Sequence, residues 1–292
     1  MARPVVDLPD PDSPTMPSRS RPRLKDTPRT AWKGWRPPVK VTSRHSTSSK
    51  GGVVGESGSG KSTTGRAILG LLPPSAEVSA RRLAFKGEEL TSLTPRGWRK
   101  LRGRHISMVM QDPKFSLNPV IKVGAQIVET LRLHERVGES EARRRALAML
   151  EAVRIRDPER VFHLYPHQLS GGMGQRVMIA AMLIAEPALL IADEPTSALD
   201  VTVQNEVLRI LDDLVAARGM GLIFISHNLT VIASFCDRVL VMYRGRIVEE
   251  LAARDLGTAR HPSPRALIAA APALDRPRAE LAVVARDPAW IS

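Results

Sequence analysis

Residues 55 to 63 read GESGSGKST, which sets glycines, a lysine and hydroxyls in the order that wraps a chain of phosphates. Gly55 and Gly60 permit close approach of the backbone, and Glu56, Ser57, Gly58 and Ser59 between them line the turn with N–H groups that face an anion. Lys61 places its ammonium against the β- and γ-phosphates. The Ser62 hydroxyl is a ligand for Mg²⁺, and Thr63 supports the phosphates from the same turn. The pattern sets a nucleoside triphosphate as the ligand.

A second constellation lies in LLIADEP, residues 189 to 195, where an apolar run ends in Asp193 and Glu194. Carboxylates at the carboxyl end of a buried strand stand where ligands bind in open parallel sheets. Asp193 is expected to hold Mg²⁺ opposite Ser62, and Glu194 to orient and polarise an attacking water in line with the γ-phosphate. A third element is LSGGM, residues 169 to 173. There Ser170, Gly171 and Gly172 open a helix whose free N–H groups and positive dipole end suit a phosphate.

These residues need a scaffold of alternating strands and helices. Gly52-Val53-Val54 leads into the phosphate loop, and TTGRAILGLL after it is compatible with a helix. Residues 82–86 and 105–110 are predicted strands, with a short helix at 98–102. Helices are predicted at 122–135, 140–153 and 171–185, separated by the turn-rich RIRDPERVFHLYPHQ. The runs 188–193 and 222–226 read as parallel core strands flanking a helix at 203–217, and 238–250 as a hairpin turning at Arg244-Gly245. The expected fold class is α/β, resembling that of P-loop NTPases.

Composition limits the other possibilities. Of the formal net charge of +13, more than half sits in residues 1 to 50, which hold 11 Lys/Arg against 4 Asp/Glu; residues 51 to 292 hold 32 against 26. With only 4% aromatic residues and no basic stripe in the folded part, no nucleic-acid partner is expected. A single cysteine, Cys236, excludes internal disulfides and cysteine-ligated clusters and fits a reducing, cytoplasmic compartment. The most apolar stretch, 177–192, is too short for a membrane span and is broken by Glu186-Pro187. Residues 1 to 50, with nine prolines and few consecutive apolar positions, are expected to be disordered, and the prolines rule out an amphipathic transit helix.

The order GESGSGKST, QDP, LSGGM, LLIADE, SALD and SH over residues 52 to 272 resembles the ATP-binding subunits of ABC transporters. The resemblance implies a RecA-like parallel-sheet core in residues 51–250 with an inserted helical subdomain at about 114–184. It implies a dimer, homo- or heteromeric, that closes on two ATP molecules, each held between the phosphate loop of one subunit and Ser170-Gly171-Gly172 of the other. Gln111 corresponds to a glutamine that touches the metal and signals to the membrane partner. Asp200 corresponds to a residue bridging the subunits, and His227 to a switch histidine on the γ-phosphate. Further implied partners are transmembrane permease subunits and, indirectly, a solute-binding protein, which puts the chain on the cytoplasmic face of the membrane as a peripheral subunit. QDPKFSLNP, residues 111–119, and HPSPRALIAAAP, residues 261–272, are similar to the oligopeptide, dipeptide and nickel importer branch, with 251–292 as its C-terminal extension.

Two positions depart from the pattern. Relatives carry an adenine-stacking aromatic on an antiparallel strand pair upstream of the loop. Here Trp32 and Trp35 sit in AWKGWRPP without strand alternation, so residues 1–50 read as an atypical start to such a domain. Gly174 stands inside the signature helix where relatives carry a longer polar side chain, at up to about 1 kcal/mol in helix propensity. A catalytically weak or decayed pairing subunit therefore stays open, as does a non-transport ABC protein, although such proteins generally fuse two cassettes and only one set of motifs is present.

Overall fold

Lys50–Gly55 form the first strand, β1, in a computed structural model that describes residues 49–112 and 116–270. Trp32, Trp35 and the rest of the leader up to residue 48 lie outside the described residues, as do residues 113–115 and 271–292. β1 runs through the phosphate loop into α1 (Lys61–Ile68). A small hairpin of β2 (Ala84–Phe85) and β3 (Glu88–Glu89), then α2 (Pro95–Leu101) and β4 (Ile106–Val109), follow. Next come α3 (Val123–His134), α4 (Glu139–Ala152), α5 (Pro158–His163) and α6 (Gly171–Leu183), with no strand between them. The chain then returns to alternation through β5 (Leu189–Asp193), α7 (Val201–Arg218), β6 (Gly221–Ser226), α8 (Leu229–Phe235), β7 (Arg238–Tyr243) and β8 (Arg246–Ala252), and reaches α9 (Pro262–Ala270).

The main sheet has the order β4-β5-β6-β1-β7-β8, parallel except for β8. Each parallel strand is apolar on both faces because helices cover both, and successive side chains divide between them. Val54, Val109, Leu190, Ala192, Phe224 and Val241 join the core beneath α6, α7 and α8. Their neighbours Val53, Met108, Leu189, Ile191, Ile225 and Met242 join the core beneath α1 and α2. Burying one such side chain contributes roughly 1.5–3 kcal/mol, so a polar residue inside β5 would be a severe break. The register pairs Val109 with Ala192, Asp193 with Ile225, and Val54 with Ser226, which aligns the carboxyl ends of β4, β5, β6 and β1 along one edge.

Several elements differ from the pattern-based expectation. The strand expected at 82–86 is only Ala84–Phe85, turned by Lys86 (φ 48°) and Gly87 (φ 88°) into a separate two-stranded hairpin. Positive φ at both turn residues matches the twist of a tight hairpin, a conformation that side-chain periodicity does not encode. Part of the turn-rich segment is α5: Asp157 caps it by accepting from Arg160 N, and Pro158 occupies the first turn, where its missing N–H costs nothing. The short helix expected at 98–102 begins at Pro95, where Thr94 caps it through Gly97 N.

The end of α6 is held by cations from three other parts of the chain. Arg104, Arg145 and Arg218 donate to the carbonyls of Ala185 (2.9 Å), Ile184 (3.4 Å) and Leu183 (2.8 Å). These carbonyls lie at the helix's C-terminal end and carry the negative end of its dipole, with Leu183 O also accepting from Glu186 N at 3.0 Å. Glu135, just past α3, bridges Arg104 and Arg145 at 2.6 Å each. α6 is thereby fixed to the helical region and to the sheet, which determines where its N-terminus points.

Candidate functional site

The phosphate loop is shaped by its contacts with β7. A Cβ on Gly55 would run into the carbonyl oxygen of Met242, so that position admits no side chain. Gly60 caps α1 in the left-handed region, φ 99°, which glycine alone adopts freely. Lys61 is 5% exposed, and its Nζ donates to Gly55 O at 2.8 Å and Glu56 O at 2.9 Å. An ammonium has three hydrogens, so two close the loop upon itself and one remains for a phosphate. Glu56 O also accepts from Ser59 N, while Ser57 and Gly58 are exposed at the loop tip. Ser59 Oγ is buried without a hydrogen-bond partner among the described residues. Ser62 and Thr63, both half-buried, lie in the first turn of α1.

The carboxylates meet this loop from the neighbouring strands. Ser62 Oγ donates to Asp193 Oδ1 at 2.8 Å, across 131 positions of sequence. Burial pushes the Asp193 carboxyl above the ordinary aspartate range, against the lowering effects of the Ser62 hydrogen bond and of Arg66 and Lys61. Burial also lowers Lys61 from the usual lysine range, although Glu194, Asp193 and Glu56 act to raise it. In both groups desolvation outweighs the attraction between them. A cation at Ser62 and Asp193 would offset the cost of the buried carboxylate. Two hard oxygen donors side by side fit Mg²⁺, which takes few protein ligands when substrate phosphates complete its shell. Among the described residues no cluster of three or more His, Cys, Asp or Glu forms a separate metal site.

Glu194 leaves the line of β5 by adopting φ 48°, a left-handed conformation costing on the order of 1–2 kcal/mol for a non-glycine residue. Its N–H remains bonded to Ile225 O at 2.9 Å, so the turn is anchored while the side chain swings. Glu194 Oε1 then stands 3.1 Å from His227 Nδ1, which follows β6. Asn228 locks that corner: its N–H donates to Ser226 Oγ at 3.0 Å and its side chain caps α8. Gln111 is exposed, two residues beyond β4 on the same sheet edge.

Ser170, Gly171, Gly172 and Asp200 belong to a second surface. Ser170 Oγ caps α6 through Met173 N at 3.4 Å, and Asp200 caps α7 by accepting from Val203 N at 3.0 Å. A Cβ on Gly171 would meet open space, whereas one on Gly172 would strike Val203. The structure thus joins Lys61, Ser62, Asp193, Glu194 and His227 in one constellation. The starts of α6 and α7 form another.

Some contributors carried no motif. Thr64 Oγ1 donates to Gly60 O at 2.9 Å, and Met242 and Gly245 wall the loop from the β7 side. Arg66 is one helical turn after Ser62, a spacing that puts both on one face and gave a usable signal. Met242 and Gly245 gave none, because only sheet order makes them neighbours of the loop.

With this geometry in hand, comparison with known proteins is specific. The model of the ABC transporter family matches residues 41–197. A probable peptide ABC transporter ATP-binding protein, y4tR of Sinorhizobium fredii, is 51% identical over 223 residues, 76% of this chain and 67% of that protein. The oligopeptide transport ATP-binding protein OppD of Salmonella typhimurium is 44% identical, over 81% of this chain and 71% of its own length. Among solved structures, a dimeric post-hydrolysis state of the ATP-binding cassette MJ0796 bound to ADP and Pi is similar with a TM-score of 0.63 and 28% identity, over 72% of this chain and 88% of that one. The chain belongs to the ABC transporter family, and its fold is that of a P-loop NTPase. Within the family its similar relatives are ATP-binding subunits named for peptides, oligopeptides and dipeptides.

Proposed function

We propose that this chain binds ATP with Mg²⁺ and hydrolyses it as one half of a dimer, and that the dimer drives import of peptides or related small solutes through separate transmembrane subunits. The observation that carries this reading is the meeting of the loop, Asp193, Glu194 and His227 at one sheet edge, with Ser62 and Asp193 in direct contact. The similarity to ATP-binding proteins named for peptide and oligopeptide transport supports the peptide substrate, and the dimeric MJ0796 structure supports pairing. Among the described residues no helix is long and apolar enough to cross a membrane.

Ser62 and Asp193, with Gln111 on the same sheet edge, would hold Mg²⁺, which would supply positive charge to offset that of the phosphates. The remaining work is done by the chain. Lys61 turns its third N–H to the phosphates, and loop N–H groups between Glu56 and Thr63, other than that of Ser59, surround them. Glu194 accepts a hydrogen bond from the attacking water and aligns it with the γ-phosphorus. His227, in contact with Glu194, holds that carboxylate in its turned-out position and faces the same phosphoryl group. Ser170, Gly171 and Gly172 offer the start of α6 to the nucleotide of the partner subunit, and Asp200 lies beside them to bridge the two copies. We place the ATPase domain at residues 51–250, the helical subdomain at about 114–184 and a peptide-importer extension at 251–292.

The test is ATP turnover by the purified chain and by Glu194→Gln. Removing a group that positions and polarises water lowers turnover by about 100-fold or more. The variant should still bind ATP and should accumulate as an ATP-bound dimer in sizing chromatography. Undiminished hydrolysis in that variant would remove Glu194 from its assigned role.

A further inference from the structure

The β7–β8 turn, Arg244-Gly245, is built into the phosphate loop. Gly245 N donates to Ser59 O at 2.9 Å, and Thr64 Oγ1, whose hydrogen goes to Gly60 O, lies 3.7 Å from Met242 Sδ. A Cβ on Gly60 would stand 3.5 Å from Met242 Cε and 3.6 Å from Gly245 Cα. Sheet order assigns this turn to one side of the nucleotide. β5 and β6, which lead to Asp193, Glu194 and His227, lie on one flank of β1, and β7 lies on the other. A triphosphate whose terminal phosphoryl group rests at Asp193 and Glu194 therefore extends across the end of β1 away from β5 and β6. Its nucleoside end arrives over the β7–β8 turn.

Arg244 is the side chain waiting there. It is exposed, its guanidinium carbon stands 5.7 Å from the centroid of the Tyr243 ring, and none of the ion pairs among the described residues includes it. Tyr243 is 1% exposed, so its own ring has no face free for a base. The hairpin turn holds Arg244 at φ 46° and Gly245 at φ 79°, which fixes the direction in which the arginine leaves the backbone. A planar guanidinium stacks on aromatic faces, purines included, as an ammonium does not. We infer that Arg244 is the base-side contact of the nucleotide site, its guanidinium stacking on the purine ring. The inference rests on the ATP-binding reading above.

Binding of ATP and of inorganic tripolyphosphate, each with Mg²⁺, to the full chain, Arg244→Ala and Arg244→Lys separates a base contact from a phosphate contact. Loss of one exposed stacking partner weakens ATP by about three- to ten-fold and leaves tripolyphosphate within about two-fold. Arg244→Lys, charged but not planar, shows most of the same loss. Equal weakening of both ligands with recovery in Arg244→Lys overturns the stacking assignment, as does unchanged ATP affinity in Arg244→Ala. A wild-type chain that binds neither ligand overturns the ATP-binding reading itself. Tripolyphosphate binding that is lost in Lys61→Ala while Arg244→Ala retains it keeps the two conclusions distinct.

Discussion

Gly172, near the start of α6, lies so close to Val203 in the first turn of α7 that a single added carbon would overlap the valine side chain. The two helix N-termini, capped by Ser170 and Asp200, are thus seated directly against each other. A change on either helix is transmitted to the other cap because no slack separates them.

Gly172→Ala forces α6 and α7 apart. Overpacking of this kind costs typically about 1–3 kcal/mol, which a thermal melt reads as a fall of several degrees for a domain of this size. ATP-dependent dimerisation should fall more than ATP binding by the monomer, since the displaced caps lie on the surface proposed to face a partner. Gly171→Ala, whose Cβ meets open space, is the control expected to melt as the wild type does.

Asp193→Asn should trade function for stability. The folded-state value of this carboxyl lies above the ordinary aspartate value, so it favours folding at low pH and loses that contribution as pH rises through the elevated value. At neutral pH the nucleotide-free variant should melt at or above the wild-type temperature, while Mg²⁺-dependent nucleotide binding collapses. The difference between the two melts should shrink as pH falls toward 4. A variant that melts clearly below the wild type at pH 7 would contradict the desolvation account.

Glu135→Gln should behave in the opposite sense. Its hydrogen bond to Arg145, with the charges of Arg145 and Arg104, holds the carboxyl below the ordinary glutamate range. The stability it supplies is present above the ordinary glutamate value and is lost as pH falls through the depressed one. The network is partly exposed, at 22% for the Glu135 side chain, so a loss on the order of 1 kcal/mol at pH 7 is expected. Chemical denaturation at pH 7 and pH 3 checks it, with the wild type and the variant converging at the lower pH.

Cys236 should be inert in the native chain. Burial pushes its thiol up to about 12, so at pH 8 only on the order of 0.01% is thiolate. A thiol reagent should label it at the rate of unfolding, and promptly in denaturant. Gly52→Ala would place a methyl 2.9 Å from Ile232 Cγ2 and 3.2 Å from Cys236 Sγ, and should accelerate labelling by loosening this contact.

How much of the molecule could be read in advance varied with the physical origin of each feature. β5 and β6 were legible because a strand buried on both faces must be continuously apolar, and LLIAD and LIFIS have no other soluble use. α4 was legible through apolar positions spaced three and four apart. α5 was hidden in a segment of turn formers, since its six residues are stabilised by an Asp157 cap and by packing rather than by a long apolar face. The side-chain pattern predicts a strand over 82–86, where the chain instead reverses into the Ala84–Glu89 hairpin, because its direction is set by backbone torsions at Lys86 and Gly87.

The linear order of residues by itself determined the chemistry on offer: a phosphate-wrapping loop with Lys61 and Ser62, an acidic pair after a core strand, and a basic, single-cysteine chain. Those follow from residue type and short-range spacing, which any stretch of chain carries with it. The tertiary structure alone decided that Ser62 meets Asp193, that Glu194 turns out of its strand toward His227, and that Met242, Gly245 and Arg244 become neighbours of the loop. Strand order and register create those contacts, and they come from the packing of whole sheet faces between segments distant in sequence, as with the 131 positions between Ser62 and Asp193. No local pattern encodes them.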